Sequence, residues 1–176
     1  KLVLPSIEYK SVIMDYKREF IEDGDSMDGT GGLRNFNIFE EWYSSICDNL
    51  KEETVRKGLV PATTYIAISI DDGRLIGMID VRHRLNDFLF NFGGHIGYSV
   101  RKSERQKGYA TEMLALALKE CTRLGIKKVL ITCDKDNMAL AKTIINNGGV
   151  MENEIQEGDR ITQRYWINLD WGYGGS

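Results

Sequence analysis

VRKSERQKGYAT, Val100 to Thr111, is the stretch on which the reading of this chain turns. An apolar strand pattern ends at Val100, and Arg101, Lys102, Arg105 and Lys107 crowd the turn that follows. A helical pattern then starts near Gly108. The first turn of a helix leaves backbone N–H groups without partners, and the aligned peptide dipoles add positive charge there. Gly108 has no side chain to hold an anion off the backbone, and Ala110 is small enough to permit the same approach. Together these features make a cradle for a pyrophosphate. Taken alone, the turn reads equally well as a solvated strand–helix connection. Two other phosphate motifs fail on detail. A P-loop needs Gly-Lys-Ser/Thr, and here Lys107 precedes the glycine. A dinucleotide fingerprint needs three spaced glycines, of which only one is present.

Outward from this turn the chain alternates strands and helices. GGHIGYSV (Gly93 to Val100) is the strand before it. In the helix from Gly108 to Leu124, residues Met113, Leu114, Ala117, Leu118, Cys121 and Leu124 share one side, and Gly125 stops it. KKVLITC (Lys127 to Cys133) is apolar enough for a strand covered on both faces. A helix over Asn137 to Asn147 and a last strand pair, Met151 to Gln156 and Ile161 to Leu169, complete the C-terminal half. Upstream, Thr63–Ile70 and Arg74–Arg84 read as a hairpin closed by a two-residue Asp72-Gly73 turn. Before it come a helix over Tyr9 to Ile21 and a second helix capped by Asn37 with Glu40. Phe39, Trp42, Tyr43, Ile46, Cys47 and Leu50 form the apolar face of that second helix, which places Cys47 in the core. The acidic, glycine-rich loop between the two helices, Glu22 to Gly32, reads as a segment that shapes a substrate site.

The 176 residues, 42% hydrophobic, suit a single domain over residues 1–176. A net charge of -3 argues against a nucleic-acid or membrane-surface partner. No apolar run is long enough to cross a bilayer and no signal peptide opens the chain, which begins at Lys1. Cys47, Cys121 and Cys133 are too scattered for a disulfide framework, and free thiols suit a cytoplasmic setting. With only His83 and His95, neither in ligand spacing, no metal site is expected.

Arg105-Gln106-Lys107-Gly108-Tyr109-Ala110 resembles the Gln/Arg-x-x-Gly-x-Gly/Ala signature of the GNAT superfamily of N-acetyltransferases. The preceding GGHIGYSV, the later KKVLITC, the DKDN ending in Asn137 and the C-terminal RYWINL (Arg164 to Leu169) stand in that family's order. The likeness runs from about Tyr65 to Leu169, and is nearest to a bacterial group of poorly defined substrate. It implies an α/β GNAT fold: a mixed, mostly antiparallel sheet, splayed at the coenzyme A site and flanked by helices. It further implies transfer of the acetyl group of acetyl-CoA, as co-substrate, to a primary amine of a small molecule or peptide by direct attack. A non-catalytic acyl-CoA-binding sensor module is the alternative. On this resemblance Arg105 and the backbone of Gln106, Lys107, Gly108, Tyr109, Ala110 and Thr111 hold the pyrophosphate. The strand edge at Tyr98 to Val100 pairs with the pantetheine arm, Asn137 approaches from the other side, and Lys102, Lys107 or Lys142 meets the 3′-phosphate. Exposed sheet edges would admit a homodimer.

For catalysis the resemblance implies an oxyanion donor on the splayed strand, at the N–H of Ser99 or a neighbour. Many relatives carry a tyrosine acid at the position of Ile144, and an isoleucine donates no proton. Tyr98 or water takes its place, or the thiolate leaves unaided. Asp80, on the neighbouring strand, is the competing base, or else a surface carboxylate near Arg82. Strand alternation sets His95 and Ser99 opposite Ile96, Tyr98 and Val100, so His95 reads as a buried structural histidine. Cys133 reads as core, and Tyr65, Tyr165 and Trp166 as packing or pocket aromatics. Arg82, His83, Arg84 and Asn86 form a polar cluster that meets an acidic acceptor or faces water.

Overall fold

The computed structural model describes residues 1–170, which build two antiparallel sheets between two pairs of helices. Helix α1 spans Lys10–Asp23 and α2 Phe39–Asp48. The first sheet runs β1 (Leu2–Val3), β2 (Ala62–Ile68), β3 (Leu75–Arg82), β4 (Ile96–Val100). Helix α3 (Tyr109–Arg123) leads to β5 (Lys128–Asp134), and α4 (Met138–Asn146) leads to β6 (Val150–Glu157) and β7 (Arg160–Asn168). These last strands form the second sheet, in the order β5-β7-β6. No described helix is long and apolar enough to cross a membrane.

Alternation along the strands divides the core into two layers. Ile79, Val81, Ile96 and Val100 pack with Leu114, Ala117 and Cys121 of α3 and with Ile144 of α4. Met78, Ile66 and Leu75 pack on the opposite side with Tyr16 and Phe20 of α1 and Trp42 of α2. Burying a side chain of this size contributes about 1.5–3 kcal/mol. The α3 stripe is buried as its spacing predicts, apart from Leu124, which stands 43% exposed beyond the helix end.

Three local expectations need correction. Helix α2 starts at Phe39 behind Ile38, without a side-chain cap, rather than at Asn37. Its Glu40 is instead held by the Lys10 ammonium at 2.7 Å. Cys47 is exposed, because the buried stripe is only as wide as Phe39, Trp42 and Ile46 and Cys47 falls off its edge. The β2–β3 hairpin closes between Ser69 and Arg74, so its loop has four residues rather than two, with Gly73 left-handed at φ 73°.

No ladder joins β4 to β5. The sheets meet at one clasp, where the His95 N–H donates to the Leu130 carbonyl at 2.7 Å. The Leu130 N–H returns to His95 Nδ1 at 2.9 Å. Beyond it the two strands diverge and leave a gap in the middle of the molecule.

Candidate functional site

The register of β3 against β4 decides which backbone groups face the gap. Arg82 donates to His95 and Arg101 to Ile76, and both pairs lie in the same register as Asp80↔Gly97 and Met78↔Ser99. Hydrogen-bonded pairs alternate along an antiparallel ladder. Gly97, Ser99, the His95 carbonyl and the Arg101 N–H therefore spend their backbone bonds on β3, while Ile96, Tyr98 and Val100 point theirs into the gap. Arg105 Nε reaches the Val100 carbonyl at 2.9 Å on that outward side.

Two cavities open from this edge. One, about 850 Å³, lies between the end of β4, the start of α3 and α4, and is lined by Val100, Arg105, Gln106, Gly108, Tyr109, Ala110 and Thr111. The other, about 710 Å³, occupies the gap and is lined by Arg82, Gly97, Ile131, Cys133, Asp136 and Arg160 among others. Ser26, Asp28, Tyr98, Asn137 and Leu140 line both, so the two form one cleft. The acidic loop after α1 thus does shape the site.

The turn before α3 is arranged to leave its amides free. Gln106 takes φ 63° and Gly108 φ 84°, and the first N–H bonded to the turn is that of Glu112, which donates to Gly108. The N–H groups of residues 106–111 have no acceptor among the described residues. Six successive unpartnered donors at a helix start make an anion site. Beneath the turn, buried Glu104 holds Arg74 at 2.7 Å and Lys107 at 3.3 Å. Helix α1 grips the turn from outside. Tyr16 Oη and Ser99 Oγ are 2.8 Å apart, Glu19 pairs with Arg101 at 2.7 Å, and the Arg105 guanidinium lies 5.7 Å from the Phe20 ring centre.

An unpaired amide cradle, an unladdered strand edge and a gap behind them match one family in both sequence and shape. The model of the acetyltransferase (GNAT) domain matches residues 18–150. This chain belongs to the GNAT acetyltransferase family. Solved GNAT structures share its fold at low identity. A ribosomal-protein alanine acetyltransferase from Vibrio fischeri superposes with a TM-score of 0.69 at 14% identity, covering 96% of this chain and 92% of the other. A microcin self-immunity acetyltransferase, solved with acetyl-CoA and AMP, gives 0.67 at 18% identity over 95% and 91%. A spermidine N-acetyltransferase from Vibrio cholerae gives 0.63 at 13% identity over 96% and 95%. No curated protein matches the sequence.

Within this GNAT frame the residues singled out from sequence fall into place unevenly. Asn137 caps α4, its Oδ1 accepting the Leu140 N–H at 3.1 Å, and so stands across the gap from Tyr98. The Tyr98 side chain is partly buried, and burial raises its pKa above the ordinary tyrosine value. Lys107 turns to Glu104 and lines neither cavity, while Lys142 does line the first and Lys102 does not. Cys133 is buried as expected, and burial pushes its thiol up to about 11. Neither Tyr65, Tyr165 nor Trp166 lines the cleft; the Trp166 indole donates to Glu152 at 2.6 Å.

Ser99 and Asp80 must be revised. The Ser99 backbone is committed to Met78 and its hydroxyl to Tyr16, so the gap-facing N–H is that of Tyr98. Asp80 is 9% exposed and lines neither cavity. Its Oδ2 accepts the Gly31 N–H at 3.1 Å, and Oδ1 has no partner. A carboxyl sealed in this way has no amine within reach and instead anchors the loop after α1. Ile144 is fully buried, and Thr143 beside it faces the cleft. His95 is 6% exposed, and burial lowers its pKa to about 4, so its ring is neutral and accepts from Leu130. Arg82, which the sequence left between solvent and ligand, lines the gap.

Proposed function

We propose that this chain transfers an acetyl group from acetyl-CoA to a primary amine by direct attack within the cleft. One observation carries the reading: the unpartnered amides of residues 106–111 open on a cavity that continues past Tyr98 through the sheet. A pyrophosphate fits those six donors and the Arg105 guanidinium, which both line or edge that cavity. An extended pantetheine arm suits the Tyr98 backbone and the Val100 N–H, which no strand takes up, the Val100 carbonyl being held by Arg105. Acetyl-CoA supplies the thioester carbon that the amine attacks.

The side chains contribute placement and proton handling. The Tyr98 N–H stands where an oxyanion at the thioester would need a donor. The N–C bond forms as the C–S bond breaks, and the amine loses its proton to water. The Tyr98 hydroxyl returns a proton to the departing thiolate and regains one from solvent. With Ile144 in the core and the Tyr109 hydroxyl accepting from Arg74 at 3.1 Å, Tyr98 is the phenol proposed to face the thiolate. The free thiols suit a cytoplasmic setting.

Calorimetric titration with acetyl-CoA, on the native protein and on Gly108→Glu, tests this. At Gly108 nothing lies within 4 Å of an added Cβ, so the glutamate brings its charge to the anion site without a clash, while φ 84° strains any side chain there and makes a check of folding necessary. Micromolar binding lost in a folded variant supports the cradle, and thiol release with an amine then establishes transfer. Binding without turnover of any amine would leave the acyl-CoA sensor as the reading. Absence of binding to the native protein would remove both.

A further inference from the structure

The gap cavity contains one cation that the fold does not use up. Arg82 lies on the α1–α2 face of β3, the face opposite the amide cradle. Its Nη1 donates to the carbonyls of Gly93 at 3.1 Å and Gly94 at 3.2 Å, which fixes the guanidinium in place. Its remaining N–H groups have no acceptor among the described residues, and no carboxylate lies within ion-pair distance. The other arginines of the cleft differ. Arg160 pairs with Asp134 at 3.1 Å and Arg105 with Asp25 at 3.2 Å. The missing side chain at residue 97 makes room for the guanidinium itself, which lines the gap cavity. Arg82 Nη2 is 3.1 Å from the place a Cβ would occupy at residue 97, and that residue is glycine. Gly97 directly precedes Tyr98, so the guanidinium lies beside the residue next to the amide that would face the thioester.

The rest of the cavity is of opposite sign. Asp28 and Asp136 line it, both are exposed, and neither pairs with a cation among the described residues. An all-cationic amine would be drawn to those carboxylates but would meet Arg82 on the floor. An amine that carries its own carboxylate a few bonds away satisfies both: anion on Arg82, ammonium toward Asp28 and Asp136 until it deprotonates. Arginine favours carboxylates because its planar fork matches their two oxygens.

We infer that the acceptor is an amino acid, a primary amine with a nearby carboxylate, and that Arg82 anchors that carboxylate. The inference rests on the acetyl-transfer reading above. Steady-state acetylation is to be measured for the common amino acids, each beside its carboxamide and its decarboxylated amine, with a polyamine included. At least one amino acid should exceed its decarboxylated amine by about 30-fold or more in kcat/KM, the discrimination that a lost charge-assisted hydrogen bond brings. Arg82→Gln should collapse that ratio to about threefold, chiefly through KM, and Arg82→Lys should fall between. Acetyl-CoA titration and thermal melting of each variant separate this effect from misfolding, since Arg82 lines only the gap cavity. The inference is overturned if acetyl-CoA binds but no amino acid is acetylated. It is equally overturned if carboxamides or polyamines serve as well as acids, or if folded Arg82→Gln and Arg82→Lys keep the native ratio. Failure of acetyl-CoA to bind at all would strike the transfer reading itself, and this inference with it.

Discussion

Arg105 and Asp25 face each other at 3.2 Å along the cavity at the start of α3, tying the signature turn to the loop that follows α1. Both side chains are about two-fifths exposed, 41% and 37%, so the pair itself contributes little stability. Its carboxylate nevertheless competes for the guanidinium that a pyrophosphate would use. Asp25→Asn should bind acetyl-CoA about threefold to tenfold more tightly at low salt, with a smaller gain at high salt. Its melting temperature should stay near that of the native protein. Calorimetry at two ionic strengths checks this, and an unchanged or weaker affinity would refute it.

Tyr98→Phe should lower kcat about tenfold to a hundredfold and leave the KM for acetyl-CoA within about twofold. The backbone that edges the cleft is untouched by this change, and only the phenol is lost. Burial raises the pKa of that phenol, so it stays protonated across the working range and no break in kcat below about pH 10 belongs to it.

His95 makes the sheet clasp acid-sensitive. Its pKa falls from 6.5 to about 4 on folding, so the folded state takes up the proton less readily than the unfolded chain. The clasp's contribution is complete above pH 6.5 and drains away as pH falls toward 4, a loss on the order of 3 kcal/mol. His95→Asn, which keeps a side-chain acceptor near the Leu130 N–H, should show a flatter stability profile between those values. Denaturant midpoints at a series of pH values would reveal whether it does.

Asp80 runs the opposite way. Burial raises its carboxyl pKa above 3.8, so ionisation costs stability as pH climbs through the acid range. Asp80→Asn should be more stable than the native protein at pH 7, with the advantage shrinking as pH falls and the native carboxyl takes up its proton. Its kcat should remain within about twofold, whereas a loss of a hundredfold or more would restore Asp80 as the base.

Much of this could be read directly from the chain. The α3 stripe, the doubly covered β5, the Gly108 start and the helix over Asn137 to Asn147 are local signals, and each element appears close to where its pattern placed it. What escaped were properties of pairing. Whether Ser99 or Tyr98 offers its N–H to the gap depends on the β3–β4 register, which no single strand encodes. The engagement of Arg105 by Asp25, 80 residues away, and the sealing of Asp80 under Gly31 are equally non-local. Arg82 looked like one of several polar residues after a hairpin, and only the turn carbonyls of Gly93 and Gly94 single it out.

The unladdered edge of β4 leaves the molecule as an unfinished weave, with one backbone stitch at His95 between its sheets and room for the proposed metabolite to supply further thread. Cohesion between the two sheets then becomes a function of supply. If the proposed thioester binds there, it would add to the shared core of Ile79, Val81, Ile96, Ile131 and Ile167 and to the His95–Leu130 clasp that already join the sheets. The lifetime of this protein against heat and proteases should accordingly track the acetyl charge of its surroundings, even where no acceptor is present.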